Sequence, residues 1–140
     1  MSNAKSLTLL FLRLSLGLLM IIWGVDKIAN PVHGAGISEK FYLGMAGSRS
    51  LMPLVGVSQI LLGLIVMAGV VRRYAYGALA VVTGVTLLGV WRSVLDPWGW
   101  YLGKTTVLFF PSLIIFAGVL VLMAFREEDL LVLRRKGNRN

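Results

Sequence analysis

Four apolar runs, each long enough to cross a bilayer, occupy most of this chain. They cover residues 7–25, 51–71, 75–91 and 105–125. An α-helix rises about 1.5 Å per residue, so about 20 residues cross a hydrocarbon core about 30 Å thick. The mean hydropathy of +0.82, with 57% hydrophobic and 14% charged residues, agrees with burial in lipid. The pattern therefore predicts an all-α polytopic membrane protein, folded as an antiparallel bundle of four transmembrane helices.

The length of the chain and its short connections leave room for one membrane domain, residues 1–140. The longest stretch outside the spans is 26–50, whose apolar content favours a short interfacial helix near 38–45. Residues 126–140 follow the fourth span as a charged tail. Pro111 lies inside the fourth span and cannot donate a backbone hydrogen bond, so we expect a kink there.

The net charge of +8 does not indicate a nucleic-acid partner, because the basic residues lie at the ends of the spans. The side that carries both termini has eight of them: Lys5, Arg72, Arg73, Arg126, Arg134, Arg135, Lys136 and Arg139. The other side has five: Lys27, Lys40, Arg49, Arg92 and Lys104. This bias favours cytoplasmic termini. We expect Glu127, Glu128 and Asp129 to lie on a solvated cytoplasmic helix.

The absence of cysteine and the presence of one histidine, His33, exclude several kinds of chemistry. Thiolate catalysis, dithiol exchange and thiolate metal ligation are not available to this chain itself. One histidine cannot complete a histidine-based metal or haem site within a single chain. No redox or catalytic centre can be built from this chain alone, and whether it is an enzyme stays open.

Glycines recur at a spacing of seven within the first three spans. The pairs are Gly17 and Gly24, Gly56 and Gly63, and Gly77 and Gly84. Seven residues are close to two helical turns, so each pair lies on one face of its helix. Such faces let membrane helices approach closely, which predicts a tightly packed bundle. The alternative is that glycine is simply frequent in membrane helices.

Arg13 is the most unusual residue of the spans, since it lies about 9 Å past the start of the first one. An arginine at depth is costly, so it either snorkels to the headgroups or faces the bundle interior. In the second case it pairs with another helix or holds an anionic or carbonyl group. The spans contain no Asp or Glu away from their ends, and Gln59 is the best acceptor inside them. Gln59 is itself either an interhelical hydrogen-bonding residue or a ligand contact.

A second group of charges is expected at the opposite side. Asp26 and Lys27 lie at the outer end of the first span, while Arg92 and Lys104 flank the turn at 96–101. One hypothesis is that these charges, with the carboxylate of Asp96, line a polar mouth that holds an oxyanion or a quinone carbonyl. The alternative is an interfacial anchor of tryptophans and solvated charge pairs.

The first two spans resemble a known family. Residues 11–28, FLRLSLGLLMIIWGVDKI, resemble the opening of the DoxX family of small bacterial membrane proteins. The shared pattern is an arginine in an apolar run, then leucine-glycine-leucine, then glycine, two residues and lysine. The second span is also similar, and the second half of the chain is similar only in its four-helix architecture. The matching positions are Arg13, Gly17, Gly24, Lys27, Gly63 and, in altered form, Gln59.

The resemblance implies a multi-pass protein of the bacterial cytoplasmic (inner) membrane that is associated with redox chemistry. The family takes its name from subunits of a thiosulfate:quinone oxidoreductase, which implies quinone as a ligand. We expect no intrinsic cofactor, because no redox centre can be built from this chain alone. The family often has glutamate where Gln59 stands. The amide removes a proton-exchanging group and a counter-ion for Arg13, which argues against proton-coupled chemistry there.

Three functions fit these observations. The first is a subunit or accessory of a membrane-associated, quinone-linked oxidoreductase, with Arg13 and Gln59 or the outer cations contacting the quinone; the electrons then need a partner enzyme or a bound cofactor. The second is a non-catalytic scaffold or assembly module for a partner protein. The third is a small-solute carrier with Arg13 lining its path. Four helices are few for a carrier unless the chain forms a homo-oligomer.

Overall fold

The structure is a computed structural model that describes residues 3–33, 36 and 50–133, and these residues form helices and turns but no β-strand. In chain order the helices are α1 Asn3–Ala29, α2 Met52–Ala68, α3 Arg72–Gly89, the short α4 Trp91–Leu95, and α5 Pro111–Ala124. Single 3-10 turns lie at Val107–Phe109 and Arg126–Glu128. The predicted interfacial helix at 38–45 lies outside the described residues.

Glycines form the contact between α1 and α2. A Cβ atom added to Gly17 would lie 2.8 Å from the carbonyl oxygen of Gly63, and one added to Gly24 would lie 2.5 Å from that of Gly56. No Cβ fits at such distances, so the two backbones touch directly along two helical turns. The pairing of Gly17 with Gly63 and of Gly24 with Gly56 also shows that α1 and α2 run antiparallel.

The third glycine pair behaves differently from the first two. An added Cβ on Gly84 would meet the ring of Phe116 of α5 at 3.2 Å, whereas no atom of the described residues lies within 4 Å of one added to Gly77. The predicted packing face of α3 is therefore used at one of its two glycines.

The helices enclose a small apolar core to which α1, α2, α3 and α5 all contribute. Its fully buried members include Met20, Val66, Leu79, Val119 and Leu122. The outward faces of the same helices expose large apolar side chains, for example Ile22, Leu61, Leu88 and Ile114, each more than half exposed. A helix that is apolar on all sides is typical of burial in lipid.

Two stretches, Asn3–Ala29 and Val107–Ala124, are long and apolar enough to cross a membrane, and Met52–Ala68 is apolar but has 17 residues. The described helices differ from the predicted spans mainly at their ends. The second span was predicted to reach residue 71, but α2 ends at Ala68 because Gly69 adopts a left-handed φ of 70°. The four-span topology stays a prediction.

The predicted kink at Pro111 is wrong. Pro111 is the first residue of α5, where a missing N–H and a fixed φ suit a helix start. The preceding residues Val107–Phe109 form a 3-10 turn instead of continuing the same helix.

Candidate functional site

Arg13 lies on the inner face of α1, and it is 2% exposed. Its guanidinium contacts the carboxylate of Asp129, 116 residues further along the chain. Nη1 donates to both Oδ1 and Oδ2 of Asp129 at 2.7 Å, and Nη2 donates to the carbonyl oxygen of Leu131. The Nε of Arg13 has no hydrogen-bond partner among the described residues. The side chain thus lies inside the bundle instead of reaching the lipid headgroups.

A third residue completes this cluster. The hydroxyl of Tyr76, in α3, donates to Oδ2 of Asp129 at 2.7 Å. Tyr76 and Asp129 are each 1% exposed. A buried carboxylate is tolerated where a guanidinium and further donors match it, because an unpaired buried charge costs several kcal/mol. We call Arg13, Tyr76 and Asp129 the Arg13 cluster.

The carboxylate is carried by residues 126–133, which we call the C-terminal segment. Backbone hydrogen bonds hold this segment against the helices. Arg72 Nη1 donates to the carbonyl oxygen of Asp129 at 2.8 Å and also to that of Arg126. The N–H of Leu133 donates to the carbonyl oxygen of Ala68 at 3.0 Å. Ala68 is the last residue of α2, so this bond satisfies a helix-end carbonyl that has no partner within its own helix.

Gly69 links the end of α2 to the Arg13 cluster. A Cβ atom at Gly69 would lie 2.6 Å from Cγ1 of Val132 and 3.0 Å from Nη1 of Arg13. Its left-handed φ already strains any other residue type. Glycine therefore serves here both to end the helix and to make room for the C-terminal segment.

The prediction that Glu127, Glu128 and Asp129 lie together on a solvated helix is wrong. After one 3-10 turn, the side chain of Asp129 points inward to Arg13, and this pairing replaces hydration. Glu127 stays exposed, while Glu128 forms an ion pair with Lys5. Lys5 also lies 4.8 Å from the ring centroid of Phe125.

Gln59 does not share a site with Arg13. The glycine contacts between α1 and α2 place Gln59 level with Trp23, roughly 15 Å along α1 from Arg13 by helix rise. The register of α1 against α2 therefore rules out the direct contact between Arg13 and Gln59 that the sequence suggested. Gln59 is 9% exposed, and its Oε1 atom is buried with no partner among the described residues.

Asp26 and Lys27 lie near the end of α1, and their polar groups contact residues that are close to them in sequence. Asp26 accepts a hydrogen bond from Asn30 Nδ2 at 3.3 Å and contacts His33 Nδ1 at 3.0 Å. The Nζ atom of Lys27 turns back along α1 and approaches the carbonyl oxygen of Trp23 at 3.5 Å. Lys27 is half-buried. Because its ammonium approaches Trp23, which is level with Gln59, it lies near the level of Gln59 as well.

Arg92 and Lys104 are exposed. The guanidinium of Arg92 lies 5.5 Å from a ring centroid of Trp91. In the described part of the chain, no ion pair joins Arg92 or Lys104 to Asp26 or Asp96. The structure thus does not assemble the predicted polar mouth through direct charge pairing.

Asp96 has a local structural role. Its carboxylate accepts hydrogen bonds from the backbone N–H groups of Leu102 at 2.8 Å, Tyr101 at 2.7 Å and Trp100 at 3.0 Å. These hydrogen bonds lower the pKa of the Asp96 carboxyl below its usual value, and the bond from Leu102 has the largest effect. The carboxylate thereby fixes a loop whose Trp98 and Trp100 rings stack at 5.2 Å and stay exposed.

The partners of Arg13 were not predicted from the sequence. The spans hold no carboxylate away from their ends, and Asp129 follows the last span. The available signal was topological: in an antiparallel bundle, the end of α5 lies beside the beginning of α1. An acidic residue shortly after the fourth span was therefore within reach of Arg13. No sequence pattern indicated Tyr76.

Long apolar helices with exposed apolar faces are typical of an integral membrane protein. The chain belongs to the DoxX family, whose model matches residues 8–92. This range holds Arg13, Tyr76 and Gln59, while Asp129 lies beyond it. No curated protein and no solved structure matches the chain.

Proposed function

We propose that α1, α2, α3 and α5 all cross the cytoplasmic membrane of a bacterium, with both termini in the cytoplasm. The glycine contacts support this for α2, since α2 runs beside the long apolar helix α1 over its length. The exposed apolar side chains of all four helices support it as well. The excess of Lys and Arg on the side of the termini supports the orientation.

We further propose that this protein is an accessory subunit of a membrane oxidoreductase and helps to bind its quinone. The observation that carries the proposal is the buried Oε1 atom of Gln59, on the inner face of α2, which has no partner among the described residues. A buried polar atom without a partner is uncommon and needs an explanation. A ligand with its own polar groups supplies the missing hydrogen bond.

The residues around Gln59 fit a quinone. The amide offers both a donor and an acceptor, and the Lys27 ammonium lies near the same level of the bundle. Its neighbours along α2, Ile60 and Leu62, are apolar, as contact with a quinone ring requires. The quinone supplies the electron-carrying group, which the side chains of this chain do not. Gln59 and Lys27 would hold its oxygen atoms, and a partner enzyme would supply the electrons.

The test is to purify the protein from its native membrane and to quantify quinone in the extracted lipid. We expect bound quinone, and a rise in melting temperature when a short-chain quinone is added to delipidated protein. Gln59→Leu removes the amide at similar size and should abolish that rise. Ser58→Ala is the matched control, because Ser58 is exposed and its hydroxyl donates to the Leu54 carbonyl of its own helix. Absence of quinone together with an unchanged melting temperature would refute the proposal.

A second candidate function, a non-catalytic scaffold, is favoured by the open face of α3. Tyr74 and Val81 are 72% and 65% exposed, and no described residue packs over Gly77 between them. A small residue flanked by large apolar ones suits close packing of a partner helix in lipid. We expect Gly77→Leu to abolish co-purification of a stoichiometric membrane partner, with Gly77→Ala as the mild control. Retention of the partner in both variants would exclude this face.

A further inference from the structure

The Arg13 cluster has the composition of a binding site for a carboxylate. Its donors are Nη1 of Arg13, which reaches both oxygens of Asp129, and the hydroxyl of Tyr76, which reaches one of them. Charge-assisted bonds of this kind are the strong ones, and guanidinium groups recognise carboxylates in this way. The site is shielded from bulk solvent, because each of the three side chains is at most 2% exposed.

The donors and the acceptor belong to different parts of the fold. Arg13 stands on α1 and Tyr76 on α3, and both are fixed by the packed core around Leu9 and Leu79. Asp129 stands on the C-terminal segment, which contacts the helices through backbone bonds from Arg72 and Leu133. The helices therefore provide the hydrogen-bond donors, Arg13 and Tyr76, and the C-terminal segment provides the carboxylate that they bind.

A second observation shows that the guanidinium has unused capacity. One nitrogen, Nη1, faces both carboxylate oxygens, Nη2 is directed to the Leu131 carbonyl, and Nε has no partner among the described residues. The paired fork arrangement of arginine and carboxylate uses two nitrogens. The side chain of Asp129 thus occupies the site without using all the N–H donors of Arg13.

We propose that Arg13 and Tyr76 form a carboxylate-binding site that the chain fills with its own Asp129. A free small carboxylate takes the same site when the Asp129 side chain is removed. Occupation by an external carboxylate and docking of the Asp129 side chain exclude each other. This inference is independent of the quinone proposal, since Gln59 lies roughly 15 Å away along the bundle.

The experiment uses the purified full chain and the variant Asp129→Ala, which leaves the guanidinium unpaired and a space the size of a small carboxylate. The melting temperature is followed in a titration with sodium formate, balanced with sodium chloride to constant ionic strength. We expect formate to restore at least half of the lost melting temperature in a saturable manner. The wild-type protein should not respond, because its own carboxylate occupies the site.

Three variants make the test specific. Arg13→Ala combined with Asp129→Ala should remove the response to formate. Tyr76→Phe combined with Asp129→Ala should raise the half-saturating formate concentration about 10-fold, the value of one hydrogen bond to a charged group. Glu128→Ala is the matched control, because Glu128 is the neighbouring acid and pairs with Lys5 at the surface; it should not respond.

The proposal is overturned if Asp129→Ala shows no difference between formate and chloride, or if Glu128→Ala responds equally. Should Asp129→Ala prove too unstable to purify, a fluorescent fusion examined by size-exclusion of crude detergent extracts gives the same decision. Recovery of a monodisperse peak in formate and not in chloride supports the site. An equally aggregated profile in both salts rejects it.

Discussion

The two ends of this bundle treat their charged residues in opposite ways. At the end where α1 begins, Arg13 and Asp129 are buried, and they come from positions 116 residues apart. At the end where α3 finishes, Asp96 accepts bonds from residues no more than six positions away. Asp26 likewise contacts His33, seven positions along the chain. One end is closed by a long-range pair and the other by local turns.

The difference shows what determines where a charge is placed in an apolar fold. A group near the surface finds donors in its own loop, so its position depends on local sequence. A guanidinium inside the bundle needs a carboxylate brought to it, so its position depends on the whole topology. We therefore expect substitutions at the first end to affect the entire fold and those at the second end to act locally.

The largest expected effect is that of Arg13→Ala, which leaves the Asp129 carboxylate buried and unpaired. Breaking a buried pair costs about 3–5 kcal/mol. We expect a loss of this size in the free energy of unfolding, measured by denaturation in mixed detergent. The double variant Arg13→Met with Asp129→Leu should be less destabilised than Arg13→Ala, because neither charge is then left alone.

Lys5→Ala is the control for that series, since its pair with Glu128 lies at the surface of the same end and is worth under about 1 kcal/mol. If Arg13→Ala and Lys5→Ala cost the same, the contrast between buried and exposed charge fails.

The next effect in size concerns the glycine contact between the two ends. A Cβ at Gly17 would lie 2.3 Å from Cγ of Met67 and 2.8 Å from the Gly63 carbonyl oxygen. Gly17→Ala should therefore destabilise the fold by about 1–3 kcal/mol. The added methyl group of Gly77→Ala meets no atom of the described residues, so this variant should stabilise the fold by about 0.5–1 kcal/mol through helix propensity. Equal melting temperatures for the two variants would show that α1 and α2 can move apart at Gly17 without loss of stability.

A smaller, local effect is expected at Asp96. Its pKa lies below the usual value of 3.8 in the folded protein, so the carboxylate contributes stability above that pH. This contribution is lost as the pH falls through the depressed pKa, when protonation removes an acceptor from the backbone donors. Near-ultraviolet circular dichroism of the stacked Trp98 and Trp100 should decrease in that range. Asp96→Asn should show the reduced signal already at neutral pH, and an unchanged signal would contradict the assigned role.

The smallest effect is expected for His33→Ala, which removes the exposed contact to Asp26. Such contacts contribute under about 1 kcal/mol, so the melting temperature should change little. A large loss of stability would mean that the second end also depends on a charge pair and would narrow the contrast between the ends.

The apolar helices, the family and the glycine faces of α1 and α2 could be predicted from the sequence. Hydropathy over about 20 residues identifies apolar helices directly. The spacing of Gly17 with Gly24 and of Gly56 with Gly63 indicates the faces that pack. These features depend on periodicity within one helix, which a sequence displays.

The partner of Arg13 could not be predicted, because it depends on how the chain folds back after α5. The charged run at 127–129 has the composition of a solvated segment, and only the antiparallel packing places Asp129 beside α1. The role of Pro111 as the first residue of α5 could not be predicted for a related reason. The same residue kinks a helix or begins one, and the choice depends on whether the preceding residues remain helical.

The distance in sequence between Arg13 and Asp129 sets an order of events during biosynthesis. The arginine leaves the ribosome 116 residues before its counter-ion, a delay of about 6–23 s at typical translation rates of about 5–20 residues per second. For that interval the nascent protein carries an unneutralised cation in its first helix. Translation of Asp129 is thus required before this pair can form, and a ribosome stalled just after α5 would leave Arg13 without its carboxylate.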